Sequence, residues 1–418
     1  MTPFAQTVGS STVRRFLSVA AFAALAAAGV TACSDSGSDA GYGADLAGEP
    51  IRLSVIASGP GPIYQPELLK AARTAVNAVN DAGGVKPAGG GDARRIELVD
   101  CEASMVTDPN AAVKCAREAI DAKVIATVGK YVSSDEVVNA FAAASIPLVG
   151  TQVQTEQDFV NPASFPLVGG SPMLSAATGA ALQDAGAKTV SVVTGDSPSG
   201  RLVPQYVKAL LESPDDLGKT HYLPFDASAD LTSQFSQIAS EKPDGVALLA
   251  STDVTSKTIV GLRQAGYEGK IAVVATAVSE ASLKKTGEAG DGTIVTSDYD
   301  APTNTSNPKI KQFQDEVEKY GDGDVEGSEF ALNAWASVHF VADKLAALDE
   351  ISGKALMESL KGSKVSIGIA PDFTYGTPNF LKLSQLPRAT IQFQTVKNGE
   401  IQAPAGGKFT DLNELAKQ

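Results

Sequence analysis

The chain has 418 residues, 43% of them hydrophobic, and its 48 acidic against 34 basic side chains leave a net charge of −14. A surface of that sign repels nucleic acid and anionic lipid alike, so neither is expected as a partner. With two histidines, three cysteines and no CxxC pair, the sequence has no metal-ligand spacing, and no metal or cofactor is expected.

Arg14 and Arg15 precede an apolar run from Phe16 to Val30, which has the proportions of a secretory signal and is short for a bilayer span. The stretch Val30-Thr31-Ala32-Cys33 resembles the bacterial lipobox, whose cysteine is acylated and becomes the new amino terminus. Residues 1–32 are therefore read as a signal peptide and Cys33 as the lipidation site; an ordinary signal with an incidental cysteine is the alternative. Arg14-Arg15-Phe16-Leu17 lacks the spacer residue of a twin-arginine signal. The small, polar, Gly-rich tract that follows cannot bury enough apolar surface to fold, so residues 33–50 read as a flexible tether. A lipid anchor on the extracytoplasmic face of the cell membrane is the expected location.

About 370 residues remain from Ile51 onward, too many for one core and comfortable for two. Their grammar is strand, turn, helix: strand 51–57 then helix 66–80, strand 95–100 then helix 109–122 opened by Asp108-Pro109, strand 123–129 then helix 134–145, and strand 146–150 leading to an irregular loop. A second series runs helix 171–186, strand 188–194, helix 200–212, strand 219–225, helix 231–241, strand 244–250, helix 254–266 and strand 270–275. The tail breaks the rhythm, with a strand 293–297, long helices 308–320 and 328–347, and a terminal hairpin of 389–396 and 400–402. This predicts an α/β fold of two doubly wound parallel-sheet lobes joined by a multi-strand hinge, with ligand beyond the carboxyl ends of the strands. Lobe I is assigned to 51–167 plus 299–386 and lobe II to 168–298 plus 387–418.

With Cys33 lipidated, Cys101 and Cys115 form an even pair in an oxidising compartment, and a disulfide between them is inferred; two free thiols are the alternative. Gly321-Asp322-Gly323-Asp324-Val325-Glu326-Gly327 has acids at alternate positions, but its twelfth position counted from Asp322 is Asn333 rather than Glu, so it reads as a solvated turn. Neither Gly89-Gly90-Gly91 nor Gly59-Pro60-Gly61 opens a helix as a dinucleotide loop does.

Four stretches in order carry a resemblance: Ser58-Gly59-Pro60-Gly61-Pro62-Ile63-Tyr64, Ala78-Val79-Asn80-Asp81-Ala82-Gly83-Gly84-Val85, Asp108-Pro109-Asn110-Ala111-Ala112-Val113, and Val128-Gly129-Lys130-Tyr131-Val132-Ser133-Ser134. On these, residues 51–418 resemble the type I periplasmic-binding-protein family, specifically the branched-chain amino-acid-binding lipoproteins of ABC importers. The resemblance implies that the serine turn Ser133-Ser134 grips a ligand carboxylate, that Gln152 and Gln154 supply contacts from the next strand-end loop, and that Tyr64 lines the cleft. Ser133 with Glu136 also reads as a capping box, a role compatible with binding.

In the second lobe the family pattern breaks. Amino-acid-binding relatives hold the ammonium group with a Tyr and a carboxylate where this chain has Ser199 and Thr276. Either Asp253 replaces that carboxylate, or the ligand is not an amino acid. The resemblance implies a monomeric, non-enzymatic protein that captures a small polar molecule, amino-acid-like or a small carboxylate or amide, by hinge closure and delivers it to an ABC permease. A ligand sensor signalling to a membrane partner is the alternative. No GxSxG, no Cys beside His and no metal cluster supports an enzyme.

Overall fold

The computed structural model describes residues 41–417 apart from 62, 105–109, 198, 322–324 and 387. The signal peptide, Cys33, the first part of the tether, the Asp108-Pro109 helix start and Asp322 to Asp324 of the acidic turn lie outside the described residues.

In chain order the first half runs β1 (Gly48–Ser58), α1 (Pro66–Asp81), β2 (Arg94–Ala103), α2 (Ala111–Asp121), β3 (Ala126–Lys130), α3 (Asp135–Ala143), β4 (Leu148–Thr151), α4 (Glu156–Val160), β5 (Ser164–Phe165) and α5 (Gly170–Asp184). Next come β6 (Val190–Gly195), α6 (Val203–Lys208), β7 (Leu217–Leu223), α7 (Thr232–Glu241), β8 (Gly245–Leu249), α8 (Thr252–Gln264), β9 (Lys270–Val274), α9 (Glu280–Thr286) and β10 (Ile294–Ser297). The tail holds α10 (Pro308–Tyr320), α11 (Glu329–Ala346), α12 (Gly353–Leu360), β11 (Lys364–Val365), β12 (Phe373–Thr374), β13 (Thr390–Lys397), β14 (Glu400–Gln402), β15 (Phe409–Asp411) and α13 (Leu412–Leu415).

Two main sheets result. The first is parallel throughout in the order β2-β1-β3-β4-β5. The second runs β14-β13-β10-β9-β8-β6-β7, parallel from β7 to β10 and antiparallel where β13 joins, with β15 also on β13. Leu53, Val55, Ile56 and Ala57 of β1 are all fully buried, which is why that strand is a continuous apolar run rather than an alternating one: helices cover both faces of a parallel sheet. The two series read from the sequence are the two lobes of this α/β architecture.

Differences are local. The stretch expected as one helix from 200 to 212 is a 3₁₀ turn at Gly200–Leu202 followed by the short α6, whose first turn contains Pro204, a residue that cannot donate to an ongoing ladder. The loop after β4 contains α4, opened by a capping box of Thr155 with Asp158. Helices α9 and α12 were not anticipated; each starts on a Ser N-cap, Ser279 and Ser352. The cap of α3 is Ser134, not Ser133: its Oγ accepts from the Val137 N–H at 3.4 Å and donates to the Glu136 carboxylate at 3.0 Å, while Ser133 is exposed one position outside. Cys101, at the end of β2, and Cys115, in α2, form a disulfide with Cα atoms 5.7 Å apart. Closing a loop of this length is worth roughly 3 kcal/mol in the chain-entropy model.

The chain passes between the sheets three times, between β5 and α5, between β10 and α10, and just before β13. A buried polar network ties these crossings. The Asp298 carboxylate accepts from the Gly169 and Gly170 N–H groups at 2.7 and 3.4 Å. Arg388 donates from Nη1 to the Leu167 carbonyl at 2.9 Å and stacks over the Tyr299 ring at 5.1 Å. Ser297 Oγ donates to Glu329 at 2.8 Å, and the Tyr299 hydroxyl donates to Asn333 at 2.7 Å. Gly170 allows the first crossing: its φ is +65°, and a Cβ there would lie 1.9 Å from Val153 Cγ2.

A cleft at the strand ends

Strand-end residues from both sheets surround a cavity of about 170 Å³. From the first lobe come Ile63 and Gln65 beyond β1, Tyr131 beyond β3, and Val153 and Gln154 beyond β4. The second lobe supplies Gly195 at the end of β6, Ser251 and Thr252 beyond β8, and Thr276 beyond β9. Parallel strands of an open sheet leave such a crevice at their carboxyl ends, and here two sheets face their crevices toward one space. Gln65 reaches across it, its Nε2 3.5 Å from Thr252 Oγ1.

The loop under the first lobe's side is held by a buried ion pair. Lys130, at the end of β3, is fully buried and donates to the Val132 carbonyl at 2.8 Å and to Asp158 Oδ2 at 3.1 Å. The same carboxylate oxygen accepts from the N–H groups of Gln154 and Thr155 at 2.9 and 3.1 Å. One charged pair thus fixes the backbone that presents Gln154.

The walls are largely apolar. Tyr131, Phe159, Tyr206 and Phe225 contribute aromatic rings. Tyr131 packs edge-on against Phe330, with ring centroids 4.6 Å apart, and removal from water pushes its hydroxyl up to about 12, so it stays neutral at any working pH. Burial likewise raises the Tyr206 hydroxyl. Gly195 lets the Phe225 ring lie across the end of β6: an added Cβ would meet that ring at 2.7 Å. Among the described residues lining the cavity, none carries a charge.

Of the residues singled out from the sequence, Gln154, Ser199 and Thr276 line this cavity together. The other five do not reach its lining. The Tyr64 hydroxyl turns outward to donate to Glu102 at 3.1 Å. Ser133 is exposed and Ser134 is engaged as the α3 cap, while Gln152 is buried beneath the loop, its N–H on the Lys130 carbonyl at 2.9 Å. Asp253 is exposed and faces an outer groove shared with Ser236 and Lys257. Sequence reasoning missed Tyr131, Phe159, Tyr206, Phe225 and Ser175. Tyr131 stood inside a quoted stretch, and its position directly after β3 was the available signal.

A cleft of this kind, at the strand ends of two doubly wound lobes, lies where open α/β sheets offer a ligand site. The chain belongs to the periplasmic binding protein family, whose model matches residues 51–400. No curated protein matches it in sequence. Among solved structures it is similar to the substrate-binding protein of an ABC transporter from Aeropyrum pernix, at 18% identity and a TM-score of 0.73 over 88% of this chain and 98% of that one. It is also similar to an ABC transporter solute-binding protein from R. palustris in complex with benzoate, at 18% identity, a TM-score of 0.68 and coverage of 85% and 95%. A third is the branched-chain amino acid transporter substrate-binding protein from Streptococcus pneumoniae in complex with isoleucine, at 18% identity, a TM-score of 0.67 and coverage of 85% and 98%.

Proposed function

We propose that this protein is an extracytoplasmic solute-binding lipoprotein that captures a small molecule between its lobes and hands it to an ABC permease. The observation that carries this reading is the uncharged cavity lined by strand ends of both sheets, in a chain of the periplasmic binding protein family. A solute touching both lobes stabilises the closed arrangement by its differential affinity, and closure is the signal a permease can read. The moving bodies are residues 51–167 plus 299–386 and 168–298 plus 387–418, and the crossings tied by Asp298 and Arg388 are the hinge. Gln154, Ser199 and Thr276 are proposed as ligand contacts, and Cys33 as the acylated residue that keeps the protein at the membrane as a monomer.

A strain carrying Cys33→Ser is expected to lose the protein from its membrane fraction and to lose solute uptake, as does a strain from which the gene is deleted. Retention of the variant in the membrane would contradict the anchor, and unchanged uptake in the deletion strain would contradict transport.

A further inference from the structure

Resting on the capture reading, we propose that the solute is a small uncharged carbonyl compound with an apolar body, and that Tyr131 and Tyr206, one from each lobe, select it by donating to its carbonyl oxygen. Tyr131 stands beyond β3 of the first sheet and Tyr206 on α6 of the second lobe, and both line the one cavity. Neither hydroxyl has a hydrogen-bond partner among the described residues, and burial is all that acts on either. Neither oxygen is sealed inside the protein, so each can meet a bound molecule. Native proteins rarely leave a partly buried hydroxyl without a partner. Two of them on one cavity, from two lobes, call for an acceptor that the solute brings. Both stay protonated at any working pH, so what they offer is donation without charge.

The electrostatics of the cleft select against charge of either sign. Among the described lining residues there is no carboxylate, so an ammonium drawn in from water has no partner to replace its hydration. No Lys or Arg is among them either, and the helices that follow the cleft strands already carry acids at their amino ends. Glu67 stands in the first turn of α1, Asp135 and Glu136 in that of α3, and Asp253 in that of α8. Asp298 takes the N–H groups of Gly169 and Gly170, where α5 opens. An anionic solute would add like charge beside each of these ends. An uncharged molecule avoids both costs and still completes the hydroxyls.

A carbonyl matches those donors in number, because its oxygen has two lone pairs, one for each tyrosine. The Gln154 carboxamide, also without a described side-chain partner, can accept from the N–H of an amide. The rest of the wall sets the body of the molecule. Phe159, Phe225, Leu249 and Val274 offer apolar contact, and about 170 Å³ is the size of cavity that takes a single ring, benzene filling one of roughly 150 Å³. A branched or single-ring carbonyl compound fits both the volume and the wall.

Calorimetric titration of the purified full chain tests this on two skeletons that differ only in the polar group. The neutral probes 4-methylpentanamide and 5-methylhexan-2-one are set against 4-methylpentanoate, 4-methylpentan-1-amine and leucine. Likewise 3-phenylpropanamide and 4-phenylbutan-2-one are set against 3-phenylpropanoate, 3-phenylpropan-1-amine and phenylalanine. At least one neutral probe is expected to bind tenfold or more tighter than the acid, the amine and the amino acid of its skeleton. Tyr131→Phe and Tyr206→Phe, which keep the rings, should each weaken that probe fivefold or more with no loss of melting temperature, since neither hydroxyl bonds the protein. The proposal is overturned if a charged probe binds as tightly as its neutral counterpart, if no neutral probe binds, or if either variant keeps full affinity. It is also overturned if either variant melts lower, which would show a hydroxyl spent on the fold. Tighter binding of an acid, amine or amino acid would sink the uncharged class while leaving capture intact. Capture itself fails only by the uptake measurement on the deletion strain.

Discussion

Replacing Lys130 with Met is expected to destabilise the protein by about 3–5 kcal/mol, the cost of leaving one member of a fully buried ion pair without its partner. The methionine keeps most of the stem's volume, so the loss reports the charge rather than a cavity. Asp158 then keeps only its N–H and hydroxyl donors from Gln154 and Thr155, and the loop presenting Gln154 loses its tie to β3. Urea unfolding should show the full decrease for Lys130→Met and recovery of a substantial part in Lys130→Met/Asp158→Asn, where no unpaired charge remains. A loss below about 1 kcal/mol in the single variant would mean that water reaches the pair, and the picture of a rigidly held cleft floor would fail with it.

The second large effect lies at the crossings. Arg388 is buried beside two buried carboxyls, Asp298 and Glu329, and its removal leaves them facing each other without a cation. Arg388→Met is expected to cost a further about 3–5 kcal/mol at neutral pH. Burial first, and then the neighbouring Asp298, hold the Glu329 carboxyl well above the usual carboxylate range. Asp298 is also raised by burial, though Arg388 and two backbone N–H groups pull it back.

The sign of the pH dependence follows from that direction. A carboxyl raised in the folded state binds its proton more tightly there than in the unfolded chain, so its contribution is fully present below the unfolded value of about 4.3 and is lost as pH rises through the folded value. Stability attributable to Glu329 should therefore decline from mildly acidic pH upward. Glu329→Gln mimics the neutral form: it is expected to flatten that decline and to be at least as stable as the natural protein at pH 7. Melting temperatures of the two proteins between pH 4 and 8 decide it, and parallel curves would show that Glu329 is ionised in the fold.

The lobes were legible because buried parallel strands are short apolar runs separated by turn residues, and that signal needs no tertiary information: β1, β3, β6, β8 and β9 all announce themselves this way. The strand-end loops followed from the same rhythm, and of the positions that the family resemblance named on them, Gln154, Ser199 and Thr276 line one cavity. Tyr64 sits at the correct strand end, but whether its ring turns inward or toward Glu102 depends on a side-chain torsion that spacing does not encode. Phe159 and Tyr206 reach the cleft from α4 and α6, helices too short to show a face in the sequence. The crossing network was invisible for a different reason: Gly169, Asp298 and Arg388 are brought together from three segments more than 80 residues apart, and each alone reads as an ordinary loop residue. Even the cap of α3 was off by one position, because two adjacent serines offer the same chemistry to the same helix.

Closure of two lobes about that network is the claim on which the rest depends, and it can be measured without knowing the solute. In a Cys33→Ser background, cysteines placed at Gln65 and Thr252, which face each other across the cleft, can be joined by a short thiol cross-linker. Small-angle scattering of the solute-free protein should give a larger radius of gyration before cross-linking than after, with only the linked form matching this structure. Equal radii, both matching the structure, would show a rigid body with no hinge, and capture by closure would be wrong.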